Sequence, residues 1–138
     1  MPGFPGAYSK CVSVSAVAAD FTPACYTNYG KEVTISAPGG DTEYYNPVGK
    51  DDPESWTDGI YSGSILSTWI QNGTAVYGFM DGTSMACPHV SGVAALGLSY
   101  AVKQRRHFKA SEFIELLKVS TKSLDSWYGN GKVKTYYR

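Results

Sequence analysis

Several patterns are missing from this chain, and each absence removes a class of function. No stretch approaches the roughly 18 apolar residues that a membrane-spanning helix needs. The best run, Val90 to Val102, is broken by serines and glycines and reads as a buried helix. The N-terminal Met-Pro-Gly-Phe-Pro-Gly has neither a basic region nor an apolar stretch, so it does not read as a secretory signal. No Cys-x-x-Cys spacing occurs among Cys11, Cys25 and Cys87, which therefore make no metal pattern. Cys11 and Cys25 either pair in an oxidising compartment or, with Cys87, serve as small buried hydrophobes. Excess charge is missing too: 12 basic and 12 acidic residues cancel. That balance gives no electrostatic reason to expect a nucleic acid or an anionic membrane as partner. Internal repeats, low-complexity tracts and an interdomain linker are also absent.

What remains is a chain of 138 residues, 43% apolar and 17% charged, the composition of one soluble globular domain. Cys11 to Val17 alternates apolar and small polar residues and is predicted as a strand, as is Val33 to Ala37. Pro38-Gly39-Gly40 ends the second strand, because proline cannot continue a ladder. The stretch 41–63, dense in Gly, Pro and Asp, is expected to be a long surface loop, and its length points to a functional role. Ser64 to Ile70 and Thr74 to Met80 flank Asn72-Gly73, a strong hairpin signal. From about Ser84 to Lys103 a single helix is predicted, with Pro88 in its first turn. Its small residues (Ala86, Gly92, Ala94, Ala95, Gly97) suit close packing inside a larger core. A second helix is expected over Glu112 to Thr121, with Phe113, Ile114, Leu116 and Leu117 on one side. In the tail, Trp127 to Tyr137, the turn Gly129-Asn130-Gly131 leads into a short final strand.

Ser84 stands out chemically. At the start of a helix several backbone N–H groups lack partners, and the dipole favours negative charge. Such donors can stabilise the oxyanion of an acyl-transfer intermediate. Gly82 lets the backbone turn sharply and a substrate chain approach closely. An ordinary N-capping serine is the commoner occupant of such a position.

The surrounding string separates the two readings. Gly82-Thr83-Ser84-Met85-Ala86-Cys87-Pro88-His89-Val90-Ser91-Gly92 closely resembles the serine motif of the subtilase family, G-T-S-M-A-x-P-H-V-[AS]-G. Phe4-Pro5-Gly6-Ala7-Tyr8 is similar to the family's Tyr-Pro-Ala-x-Tyr segment, and Ile35-Ser36-Ala37-Pro38-Gly39 to its Ala-Pro-Gly turn. Tyr128-Gly129-Asn130-Gly131-Lys132-Val133 resembles its closing Tyr-Gly-x-Gly-x-Val. The 41–63 loop stands as an insertion within this likeness. The resemblance implies an α/β fold: residues 1–138 as the C-terminal, nucleophile-bearing portion of a subtilisin-like parallel-sheet peptidase domain, with a hairpin over about 64–80 and a buried central helix over about 84–103. It implies Ser84 as the acylating nucleophile and its own N–H as an oxyanion donor. Thr83 would support the same hole, and Gly82 would admit the substrate.

The triad partners are not in the chain. A subtilase takes its general base from His-Gly-Thr-His and the orienting carboxylate from Asp-[ST]-Gly, and neither string occurs; Asp81-Gly82-Thr83 only scrambles the second. The family's side-chain oxyanion donor, an asparagine, is absent as well. His89 lies about 140° around the helix from Ser84 and roughly 7.5 Å along it, outside hydrogen-bond reach, so it reads as a structural helix residue. His107 reads as a surface residue of the basic stretch Lys103 to Lys109. An α/β-hydrolase assignment fails on order, because no acidic residue separates Ser84 from His107.

Calcium is possible by resemblance, through the carbonyls of Gly6, Tyr8 and Cys11, but Thr34 stands where a carboxylate is wanted. Asp51, Asp52, Glu54 and Asp58 match no calcium loop and read as a solvated acidic loop. The expectation is a serine endopeptidase of polypeptides, secreted or in the cell envelope. The N-terminal half of the domain would complete it, and this chain alone would be inactive. Strand exchange between copies would be one way to cover the apolar helix. The competing expectation is a non-catalytic module that kept the fold.

Overall fold

Asn72 and Gly73 adopt φ of 49° and 77°. Two consecutive positive values make the tight reversal whose twist matches antiparallel strands. Around it β3 (Ile65–Gln71) and β4 (Thr74–Met80) zip from Gln71↔Thr74 to Ile65↔Met80, where the hairpin was expected. The computed structural model describes residues 3–19, 21–41, 63–107 and 109–124. The acidic group 51–58 and the tail 127–137 lie outside them.

Strands β1 (Val14–Val17) and β2 (Ile35–Pro38) pair in parallel, with Val14 opposite Ile35 and Val17 opposite Pro38. Both are shorter than their apolar patterns suggested at the N-terminal end. Pro38 belongs to β2 rather than ending it, since an edge position asks for no N–H from that residue. The link between them returns on β1, with no helix among its described residues. Ala24 N–H bonds the Ala16 carbonyl (3.0 Å), and the Thr27 hydroxyl accepts the Ala16 N–H (2.8 Å).

Helix α1 (Thr83–Lys103) packs across both strands, and α2 (Ala110–Val119) adds Leu117 to the same core. That core is mostly alanine: Ala16, Ala24, Ala37 and Ala86, with Val90 and Leu117. Side chains this short bring helix and strands close, and the result is an α/β arrangement. At the start of α2, the Lys109 N–H is held by the Glu112 carboxylate (2.9 Å), so the side chain three residues on makes good a poor N-cap. Leu116 points outward, 49% exposed, rather than joining Phe113 and Leu117.

The expected burial of the central helix is corrected. Along α1 only Ala86, Val90 and Ala101 are buried, while Leu96 and Val102 are 73% and 76% exposed. The physical reason is that β1 and β2 cover one face and α2 adds only Phe113 against Gly97 and Leu117 near Val90, which leaves most of the remaining side chains of the helix exposed. The same apolarity makes α1 long and apolar enough, by length and composition alone, to cross a bilayer. Glycine and serine interrupt its apolar run but lower its mean hydropathy only slightly. Pro88 lies beyond the first turn, inside the helix, where its missing N–H leaves the Ser84 carbonyl without its intrahelical donor. The cysteines are also corrected. Cys11 and Cys87 are exposed rather than buried, and no disulfide joins Cys11 to Cys25.

Candidate active site

The site is built on a turn between β4 and α1. Gly82 sits at φ 153°, ψ 161°, a region that side chains with a Cβ rarely enter. Its carbonyl accepts the N–H groups of Met85 (2.9 Å) and Ala86 (3.2 Å), and so starts the helix. Thr83 and Ser84 are the first two helical residues, and their N–H groups meet no backbone acceptor among the described residues. No acidic residue occupies the first turn to offset the positive end of the dipole. Gly82 is thus the N-cap, and Ser84, lying inside the helix, is not the capping serine. The Ser84 side chain is exposed at the wall of an open groove of about 770 Å³. Pro5, Gly6, Asn28, Tyr29 and Thr83 line it as well.

The Ala37-Pro38-Gly39 turn holds this one in place. Gly82 N–H donates to the Gly39 carbonyl (2.9 Å). The approach is close enough that a Cβ on Gly39 would lie 2.8 Å from the Gly82 oxygen and 2.5 Å from the Ala16 Cβ. The Tyr26 hydroxyl meets the carbonyls of Gly39 (2.9 Å) and Gly40 (2.6 Å). Burial, and next the Asp81 carboxylate, push the Tyr26 phenol well above the usual tyrosine range. The Ser64 hydroxyl donates to Asp81, fixing the root of the hairpin beside Gly82. Asp41, fully buried, accepts the Cys25 N–H (2.9 Å), and its own N–H bonds the Gly63 carbonyl (3.1 Å). The two ends of the 41–63 stretch, Asp41 and Gly63, are therefore pinned in the interior, and the rest of the expected surface loop lies outside the described residues.

Gly82, Thr83 and Ser84 follow one another at the start of α1, and Thr83 and Ser84 line the groove. The histidines do not join them. His89 is exposed, with Nδ1 2.7 Å from the Met85 carbonyl, and His107 is exposed beyond the end of α1. Among the described residues no hydrogen bond links either one to Ser84. Sequence reading missed Tyr26, Asp41 and the Ser64–Asp81 pair. None sits in a motif, and their partners are main-chain groups or residues distant along the chain.

The subtilase family model matches residues 1–131. The chain belongs to the subtilase family. Among curated subtilase relatives, halolysin of Haloferax mediterranei is 38% identical over 96 residues, covering 70% of this chain and 14% of halolysin. The extracellular basic protease of Dichelobacter nodosus is 32% identical over 134 residues, covering 94% of this chain and 19% of that protein. Thermitase of Thermoactinomyces vulgaris is 27% identical over 135 residues, with 98% of this chain matched to 38% of thermitase. A solved structure described as proteases from Pseudoalteromonas arctica PAMC 21717 aligns with a TM-score of 0.66 and 33% identity, over 87% of this chain and 31% of that one. This subtilase chain thus spans well under half the length of the relatives it matches.

The calcium site implied by subtilase resemblance does not fit the residues present. Thr34 brings a neutral hydroxyl that accepts the Ser13 N–H (3.2 Å), and the Tyr8 carbonyl accepts the Cys11 N–H (2.9 Å). A hard cation favours carboxylate oxygens, and the described residues hold no group of three His, Cys, Asp or Glu side chains poised around an ion.

Proposed function

We propose that the chain is the nucleophile-bearing portion of a subtilisin-like serine endopeptidase, with Ser84 as the residue acylated during peptide-bond hydrolysis. The observation that supports this best is the state of the α1 N-terminus: Ser84 is exposed on the groove, and its own N–H and that of Thr83 meet no backbone acceptor among the described residues. In the reaction, Ser84 Oγ attacks the scissile carbonyl carbon and loses its proton to a base. The carbonyl oxygen gains the negative charge, and the Ser84 N–H donates to it where the helix dipole is favourable. Thr83 supports the same hole, and Gly82, lacking a Cβ, admits the extended substrate. Histidine as base, aspartate as its orienter and asparagine as the second oxyanion donor come from outside these residues.

The substrate class is polypeptide, and the setting is secreted or cell-envelope, as for the relative named an extracellular basic protease. The open face of α1 is covered by the N-terminal half of the catalytic domain, or by exchange with a second copy. The 138 residues alone lack a base and are predicted to turn over no peptide.

The test is labelling by a fluorophosphonate probe. Full-length protein is expected to react, Ser84→Ala to be silent, and the isolated chain to be silent. Equal labelling of Ser84→Ala sinks the assignment of Ser84. A silent full-length protein favours the competing reading, a non-catalytic module that retains the fold.

A further inference from the structure

Three hydrogen bonds converge behind the Ser84 turn. The Gly39 carbonyl accepts the Gly82 N–H (2.9 Å) and also faces the Tyr26 hydroxyl (2.9 Å), which reaches the Gly40 carbonyl as well (2.6 Å). A carbonyl oxygen has two lone pairs, so Gly39 can serve both donors, and the single phenolic proton is shared between two acceptors. We infer that the Tyr26 hydroxyl is a positioning group for Ser84: it fixes the Gly39–Gly40 carbonyls against which Gly82, and hence the first turn of α1, is aligned. This rests on the reading of Ser84 as nucleophile.

Both ends of the linkage are anchored. On one side the Gly39 and Gly40 N–H groups bond the Val17 carbonyl (3.1 and 3.3 Å), tying the turn to the end of β1. On the other side, Tyr26 stands between two pinned neighbours. Cys25 N–H bonds the buried Asp41 (2.9 Å), while Thr27 N–H bonds the Ala24 carbonyl (3.0 Å) and its hydroxyl accepts the Ala16 N–H. The Tyr26 ring is therefore held from a turn whose two flanking residues are both hydrogen-bonded, rather than from a free loop. The space is tight as well, since a Cβ on Gly39 would come within 3.2 Å of the Tyr26 oxygen. Burial favours the neutral phenol there, which is the form that donates.

Without the hydroxyl, Gly39 and Gly40 lose their shared donor, and Gly82 keeps only its own N–H bond to a freer carbonyl. The Ser84 N–H must be aimed at an oxygen that carries full charge only in the transition state. Misalignment therefore lowers kcat and leaves ground-state binding alone.

In the full-length protein, Tyr26→Phe is expected to lower kcat for a peptide substrate about tenfold, with KM within about twofold. The fluorophosphonate labelling rate should fall in parallel. By hydrogen exchange, the Gly82 amide is expected to be protected in the wild type and to exchange faster in the variant. A wild-type kcat in Tyr26→Phe, or a rise in KM alone, overturns the inference. An unprotected Gly82 amide in the wild-type protein does the same and needs no variant to fold. Ser84→Ala, run alongside, separates the two claims. Labelling that survives in Ser84→Ala refutes the nucleophile reading, whereas a silent Ser84→Ala beside a fully active Tyr26→Phe refutes only the role of Tyr26.

Discussion

Replacing Gly39 with alanine puts one methyl group into the tightest contact behind Ser84. The ideal Cβ lies 2.5 Å from the Ala16 Cβ and 2.8 Å from the Gly82 oxygen, whereas carbon atoms in contact prefer about 3.5–4.0 Å. Neither obstacle can rotate away, because one sits on β1 and the other is main chain. The Ala-Pro-Gly turn must retreat by about 1 Å to restore normal contact. Overpacking of this kind costs about 1–3 kcal/mol. Stretching the 2.9 Å Gly82–Gly39 hydrogen bond by that amount forfeits about 1 kcal/mol more, for a total of about 2–4 kcal/mol. Because the retreat drags Gly82, it reaches Ser84, and a displacement of about 1 Å costs on the order of 10²-fold in turnover. Urea denaturation of the full-length protein reads the first effect as a lower midpoint at constant slope. A chromogenic peptide assay reads the second as a lower kcat. A Gly39→Ala protein with both the wild-type midpoint and the wild-type kcat refutes this account of how the Ser84 turn is held.

Three further outcomes follow from local geometry. Gly73 has φ 77° with nothing within 4 Å of a would-be Cβ, so Gly73→Val should cost about 1–2 kcal/mol through backbone strain alone. Gly73→Asn should be near neutral, and hydrogen exchange across β3 and β4 distinguishes them; equal protection in the two variants contradicts the turn assignment. Glu112→Ala removes the acceptor for the Lys109 N–H and should cost about 1 kcal/mol. Glu115→Ala, which loses only an exposed ion pair to Lys118 at 3.0 Å, should stay within about 0.5 kcal/mol. Urea titration giving the reverse order shows that the cap is not what starts α2. Tyr26 ionises above the ordinary tyrosine range in the folded chain, so below about pH 10 its contribution to stability is whole. It is lost as pH rises further, because the unfolded chain then releases the proton first. Ultraviolet titration should therefore show the same absorbance change near pH 10 for wild type and Tyr26→Phe; a smaller change in the variant contradicts the shift.

Local signals were readable wherever a residue's own backbone demand decided the outcome. Asn72-Gly73 named the hairpin because few residues accept two positive φ values in succession. Gly82-Thr83-Ser84 named the helix start, and the string around it named the family. Helix ends were less legible. Lys109 looked like a poor cap, and only the reach of the Glu112 carboxylate over one turn made it serviceable. Of the 41–63 stretch, read from composition as a surface loop, only the ends Asp41 and Gly63 lie within the described residues, and both are buried, because a loop's ends obey the strands they join rather than their own polarity.

By itself, then, the sequence determined the α/β class, the subtilase membership, the hairpin and the identity of Ser84 as the residue to watch. Each of these rests on short-range covalent preferences or on an uninterrupted string. Tertiary structure alone decided what surrounds Ser84. It placed the Gly39 carbonyl on the Gly82 N–H and the Tyr26 hydroxyl behind both. It also left most of α1 open, though its apolar composition asks for cover on every side. Contacts of this kind join residues far apart along the chain. They depend on the close approach that an alanine-rich core permits, and no periodicity or motif encodes that distance.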